Sequence, residues 1–552
     1  MQPSIIDETD LRIPMSDGVE VSVRVWRPAS EAPAPTLFAA SPYRYDNDDL
    51  PETGIFLWRE TGPIRWYVEH GFAYVHLDVR GTGRSDGEYG FFDRRERRDL
   101  FEVIEWIARQ PWSNGKVGGI GHSYYAASQW CMASEKPPHL ACIAPYDGHV
   151  DICSGWAFTG GVPANFLSEW WNGNVRPINR HPANGASSRE LALDLPYVVS
   201  LHPRRDAFWD ERTILDALCD VAIPVYSIGV WAKLDLHLAG NIMGFDRVSG
   251  PRKLFISGVP SMSAALAEFE SIAFHERVLL PFYEQHLKDD ATPSGGYADR
   301  PTVQFAVRGD PEMRSAEQWP PSEMRYAEWF INPEPSNSVT SLNDGSLLDA
   351  NASASGTTTL DYPDREWTLG PIVFTAYGPD PVRRVLTFTS KPLHEDVTIA
   401  GPPELVLFIE SSRDDLDVIV KLSDQHPQAP DERATGKQPS FTVVTKGWLR
   451  ASHRASQLDE RVGAPVMLQA EPKPLQPGDL YELHVPLMPS AYRFRSGGRI
   501  RLEIATADSP LTDAVFTHSF TPNNVGRVTI RHDAERPSRL LLPVLPAAQP
   551  AR

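Results

Sequence analysis

No run of eighteen apolar residues occurs anywhere in the 552 residues, which excludes a membrane-spanning helix. The amino terminus, MQPSIIDETDLRIPMSDGVEVSVRVW, has no basic start, no apolar core and no small-residue cleavage site. It does not read as a secretory signal, and a cytoplasmic location is expected. Cysteine is scarce: Cys131, Cys142, Cys153 and Cys219 lack metal-ligand or disulfide-framework spacing and read as buried thiols. No metal and no cofactor are expected. Positive charge is short as well, with 53 Lys and Arg against 72 Asp and Glu, and the net charge of -19 repels phosphate backbones and argues against nucleic acid. The partner left is a small molecule, and a homo-oligomer is compatible with this composition.

What is present is an ordinary globular balance, 41% hydrophobic and 23% charged. Single cores stop growing at roughly 250–300 residues, so two or three domains are expected. Val19, Val21, Val23 and Val25 alternate with polar residues, the period of a strand with one buried face, and read as the first strand. TLFAASPY, FAYVHLDVRG, GKVGGIG, HLACIAPY, VAIPVYSIG and RKLFISG are short apolar runs closed by Pro or Gly, as in a doubly wound parallel sheet. Between two of them, Asp93 and Glu96 form a capping-box pattern. Leu100, Val103, Ile104 and Ile107 then recur at helical spacing and stop before Pro111.

Residues 150–219 break this rhythm and read as a cap inserted over the sheet. Its Trp156, Phe158, Phe166, Trp170 and Trp171 suit an apolar or aromatic ligand, although packing is the commoner role of such residues. Beyond residue 294 the texture changes to alternating segments such as VLTFTS, ELVLFIE and RIRLEIA, the pattern of an antiparallel sandwich. SLNDGSLLDANASASGTTTLDYP is serine-rich and reads as a surface connection. The run Asp46, Asn47, Asp48, Asp49 is either a solvated loop or a lure for a cationic group.

The chemistry is concentrated at Gly121-His122-Ser123-Tyr124-Tyr125-Ala126. A strand before and a helix after it make this a nucleophile elbow, in which the serine occupies a sharp turn and small residues let strand and helix approach. Tyr125 stands where the common G-x-S-x-G form has its second glycine. A plain helix N-cap is the alternative role of Ser123.

GHSYYA resembles the G-x-S-Y-x-G/A elbow of the cocaine esterase, X-prolyl dipeptidyl aminopeptidase and α-amino acid ester hydrolase family. SPYRYD, DVRGTGRSDGEY and QPWSNGKVGGIG are similar to that family's other segments, in the same order. LTFTSKPLHEDVTIAGPPELVLFIESSRDDLDVIVKLSD, GWLRASHR and AYRFRSGGRIRLEIATADSP resemble its carboxy-terminal domain. The resemblance implies an α/β-hydrolase domain over 1–149 and 220–293, a helical cap insertion over 150–219, and a β-sandwich of jelly-roll type over 294–552. It also implies a serine hydrolase acting on an ester or amide through an acyl-enzyme on Ser123. The oxyanion would be held by the Tyr43 hydroxyl and the Tyr124 backbone N–H.

In this fold the acid and then the histidine follow the serine along the chain. Asp235, followed by Gly240 at the family's interval, takes the place of the acid, although GVWAKLD carries extra residues. The family's G-P-W-x-H segment reads Gly258-Val259-Pro260-Ser261-Met262 here, with no histidine. A thioether cannot take a proton from serine at neutral pH. His149 and His237 remain as substitute bases. His122 should pack beneath the site, and His275 lies too far along its helix. The missing histidine keeps a second function open on the same scaffold: an elimination, a rearrangement or ligand binding.

Overall fold

The computed structural model describes residues 4–47, 60–181, 188–289, 296–351, 356–454, 471–509 and 525–546. It divides into two compact units: Met1–Gly155 with Leu167–Lys233 and Gly240–Gln304, and Trp156–Phe166 with Leu234–Ala239 and Phe305–Arg552. The expected boundary at residue 294 lies outside the described residues. The stretch expected to be one cap is shared out, with Trp156–Phe166 grouped in the second unit.

The first unit is built on β1 (Ile5–Pro14), β2 (Glu20–Pro28), β3 (Ala34–Ser41), β4 (Ala73–Asp78), β5 (Ser113–Gly119), β6 (Leu140–Ile143), β7 (Val225–Val230) and β8 (Arg252–Ser257). Their order is β1-β2-β4-β3-β5-β6-β7-β8. All pairings from β4 onward are parallel, while β1 and β2 run antiparallel. Every residue of β3 and β4 is buried, as expected of strands covered on both faces. β1, not β2, comes first in the chain. Its alternation is broken by a bulge between Glu8 and Leu11, with Asp10 at φ +59°, so its apolar residues change phase midway.

Helix α1 is Ile64–Glu69, α2 is Arg94–Ala108 and α3 is Tyr124–Glu135. Asp93 caps α2 by accepting from the Glu96 N–H at 2.8 Å. Leu100, Val103, Ile104 and Ile107 are all buried, as their spacing predicts. The capping box is altered, because the Glu96 carboxylate accepts from the Phe92 N–H, not from that of Asp93. Asp93→Ala should cost about 0.5–2 kcal/mol, read as a lower denaturation midpoint at unchanged slope. In the inserted stretch, Asn179 donates to the Pro42 carbonyl at 2.9 Å, Arg44 to that of Ile178 at 3.2 Å and Arg212 to that of Phe91 at 3.0 Å. The insert is thereby tied to the loops that follow β3 and β4.

The second unit is β-rich. Its strands include β9 (Arg325–Pro335), β10 (Gly345–Leu348), β11 (Gly356–Tyr362), β12 (Leu386–Thr389), β13 (Glu404–Ser411), β14 (Asp417–Gln425), β15 (Phe441–Arg450), β16 (Arg499–Ala505), β17 (Gly526–His532) and β18 (Arg539–Val544). They follow the order β11-β17-β13-β18-β9-β10-β12-β16-β14-β15 around a core that includes Leu405, Leu407, Ile409, Leu422 and Leu502. The serine-rich stretch expected to be a surface connection supplies both β10 and β11. Thr358, Leu360 and Tyr362 are buried at every second position, a strand period hidden by low overall hydrophobicity. Among the described residues no helix is long and apolar enough to cross a membrane. Cys131, Cys142 and Cys153 are buried as expected, but Cys219 is exposed.

Candidate active site

β5 delivers the chain to Gly121 at φ +115°, where a Cβ would lie 2.4 Å from that of Tyr125, so glycine is required there. Ser123 follows at φ +61°, ψ −118°, a conformation that L-residues rarely adopt, and it opens α3. Its N–H donates to the Asp147 carbonyl at 2.8 Å, and its own carbonyl accepts from Ala126 and Ala127 at 3.1 and 3.0 Å. No side-chain cap bond forms, so Ser123 is not acting as an N-cap. Gly148 packs closely on the start of this helix, where a Cβ added to it would lie 2.5 Å from that of Ala126. The Ser123 side chain is partly exposed, while its neighbours on both sides are buried.

The group closest to its hydroxyl chemistry is one that no motif announces. Glu60, 2% exposed, has the Ser123 side chain among the groups that favour its ionised form. Its carbonyl accepts from the His122 N–H at 3.1 Å, and its Oε1 lies 3.4 Å from His122 Nε2. Burial pushes the Glu60 carboxyl up to about 8, with Asp147 and Glu270 adding to the rise and Lys233 and Ser123 opposing it. Lys233 Nζ stands 3.1 Å from Asp147 Oδ2. Burial raises Asp147 to about 6 against the pull of that ammonium. Burial, then Lys233, hold His122 well below its ordinary range, so it is neutral at pH 7.

Tyr43 is buried under the insert, and its hydroxyl accepts from Trp170 Nε1 at 2.7 Å. Burial first, then the Glu60 charge, push that hydroxyl upward, which places it in the field of the same carboxyl. Tyr124 is the first residue of α3, and its N–H is one of those a helix leaves without an internal partner. Its side chain matters more than sequence reasoning allowed. Tyr89 donates to the Tyr124 hydroxyl at 3.0 Å, and Tyr124 donates to Glu96 at 2.6 Å, pegging the start of α3 to the start of α2. Burial raises Glu96 to about 8. Trp170 stacks on Tyr124, and Trp171 on Tyr89. These two aromatics of the insert pack against the site.

Asp46 is buried, with its carboxylate held by Arg44 at 2.9 Å and Arg84 at 3.2 Å. It is therefore neither solvated nor a lure for a cation. Asp48 and Asp49 lie outside the described residues. Beside Glu60, a cavity of about 530 Å³ is lined by residues that include Trp26, Tyr45, Thr61, Trp66, His76 and Tyr125.

The remaining candidates are placed as follows. Asp235 belongs to the second unit and pairs with Lys446 at 3.1 Å. His237, in the same segment, packs edge-on against Trp156. His149 is in the first unit, two residues after Asp147. Its ring lies against Gly155, and Nδ1 accepts from the Asp151 N–H at 3.1 Å. Burial lowers it to about 4. After β8, Ser261 caps the helix α4 (Met262–Glu270) by accepting from the Ala264 N–H at 3.2 Å. His275 has both ring nitrogens occupied: Nε2 donates to the Phe269 carbonyl at 2.7 Å, and Nδ1 pairs with the Tyr67 hydroxyl at 2.8 Å.

A mostly parallel sheet with a serine held at an elbow between strand and helix defines an α/β-hydrolase fold. The family model for X-Pro dipeptidyl-peptidase (S15 family) matches residues 17–258, and that for the X-Pro dipeptidyl-peptidase C-terminal non-catalytic domain matches residues 295–541. The chain belongs to this hydrolase family, which groups cocaine esterase with the X-Pro dipeptidyl-peptidases. It is 24% identical to the cocaine esterase of Rhodococcus sp. (strain MB1 Bresler), over 97% of this chain and 98% of that one. It is 25% identical to a putative serine esterase of Mycobacterium bovis, over 87% and 84% of the two chains. Among solved structures, a CocE/NonD family hydrolase from Staphylococcus aureus superimposes with a TM-score of 0.79 at 24% identity, covering 98% of this chain and 94% of that one. An α-amino acid ester hydrolase does so with 0.70 at 20% identity, covering 98% and 97%.

Proposed function

We propose that this chain is a serine hydrolase in which Ser123 attacks the carbonyl of an ester or amide and carries the acyl group. The observation that carries this reading is the backbone of Ser123, held in a costly conformation that lifts its side chain to partial exposure. The relatives named as esterases support it. The Tyr43 hydroxyl and the Tyr124 N–H serve as oxyanion donors, each worth roughly 10²–10³ in rate. Asp235 is the proposed acid, on its interval to Gly240, with Lys446 as its ion partner. Trp170, which stacks on Tyr124 and donates to the Tyr43 hydroxyl, favours a substrate with an apolar or aromatic group. An organophosphonate probe should modify folded protein at Ser123, mapped by mass spectrometry, and Ser123→Ala should remove the adduct.

A second reading, non-hydrolytic chemistry or ligand binding, is favoured by the Ser261-Met262 turn, which carries a helix cap where the family has its histidine. It predicts a folded protein that binds acyl compounds and leaves Ser123 unmodified by the probe.

A further inference from the structure

Taking Ser123 as the nucleophile, we infer that Glu60 is its general base, a carboxylate that receives the serine proton directly where the family uses histidine. Three observations converge on it. The Glu60 carboxyl lies against the elbow, with Oε1 3.4 Å from His122 Nε2 and the Ser123 side chain among the groups favouring its ionised form, and its Oε2 has no hydrogen-bond partner among the described residues. The backbone on either side is tied to the site, with the Glu60 carbonyl accepting from His122 at 3.1 Å and the Thr61 carbonyl accepting from Tyr74 at 2.8 Å. The carboxyl is buried while the serine is partly exposed, so the acceptor is shielded from bulk water and the nucleophile is open to substrate.

The groups facing Glu60 are Ser123, His122, Lys233, Asp147 and Glu270, with Tyr43, Tyr125 and Tyr146 also in its field. His122 is neutral, and its Nε2 stands 3.4 Å from Oε1, beside the carboxylate without competing for the proton. Lys233 favours the ionised form. Burial, which raises Glu60 to about 8, makes it a stronger base than an ordinary carboxylate near 4.5.

In acylation, the Ser123 Oγ–H proton passes to Glu60 as the Oγ–C bond forms and the carbonyl π pair moves onto oxygen. The oxyanion collapses, the bond to the leaving alkoxide or amine breaks, and Glu60 returns its proton to the leaving group. In deacylation, water gives a proton to Glu60 while its oxygen bonds to the acyl carbon. The Oγ–C bond then breaks and Ser123 recovers the proton. No co-reactant is required.

The test follows the pH dependence of kcat/KM on a p-nitrophenyl ester and of the rate of Ser123 phosphonylation. In wild type both should rise about tenfold per pH unit below about 8 and level above it, because the ionised carboxylate is the active form. Glu60→Gln, which keeps the shape of the side chain, should lower both by about 10²–10⁴ and flatten the profile. Glu60→Asp should restore part of the rate with the rise retained, which a merely structural glutamate would not do. Phosphonylation and turnover in Glu60→Gln at wild-type rate and profile would overturn Glu60 alone. So would transfer of the pH dependence to His149→Gln or His237→Gln. A folded wild type unmodified at Ser123 would remove nucleophile and base together.

Discussion

Ser123→Gly should abolish turnover and at the same time stabilise the protein. Loss of the nucleophile should lower kcat by about 10³-fold or more. The stability effect has a separate origin. A non-glycine residue in such a region costs roughly 1–3 kcal/mol, and glycine adopts it freely, while its greater freedom in the unfolded chain takes back about 0.5–1 kcal/mol. The net gain of about 1 kcal/mol should raise the thermal midpoint by a few degrees. Ser123→Ala is the control: it loses the hydroxyl and keeps the Cβ, so it should be as inactive as the glycine variant and melt below it. A glycine variant that melts below the alanine variant would show that the turn stores no strain.

Tyr43→Phe should lower kcat by about 10²–10³, since one oxyanion donor is lost. The sequence suggests that folding would hardly notice, but the structure changes that expectation. The Tyr43 hydroxyl is the acceptor for Trp170 Nε1, and phenylalanine would leave that buried N–H unpaired at a cost of about 1–3 kcal/mol. Two effects of different origin therefore meet in one variant. Adding Trp170→Phe removes the orphaned donor and should recover part of the stability while kcat stays low. A loss of stability without a loss of kcat would reduce Tyr43 to a packing residue.

Most of the first sheet was legible because its strands are buried on both faces and closed by Pro or Gly, as in TLFAASP and FAYVHLDVRG. The elbow was legible because strand, small residue, serine and helix are contiguous in the chain. β1 was hidden by a bulge that shifts its period, and β11 by threonines standing at buried positions. Glu60 left no local signal. It lies 63 positions before Ser123, is flanked by Arg59 and Thr61, and acquires its meaning only when the His122 N–H closes on its carbonyl. Asp235 was read from its interval to Gly240 and His237 from sharing its loop, and the structure puts both in a segment grouped with the β-rich unit. The side chain of Tyr124 was discounted because a backbone donor works with any residue, yet its tie to Glu96 is tertiary and invisible to pattern.

That tie has a cost in acidity. Glu96 and Glu60 are both carboxyls whose burial lifts them from 4.5 to about 8. Their neutral forms support the fold fully below the ordinary range, and that support drains away as the pH climbs through 8. On the proposed mechanism, one of these two ionisations switches Ser123 on, while the other forces a charge beside Tyr124, the proposed oxyanion donor. Speed and lifetime therefore move in opposite directions over the same interval. An assay run under alkaline conditions should begin fast and decay early, whereas a milder one should start slowly and persist.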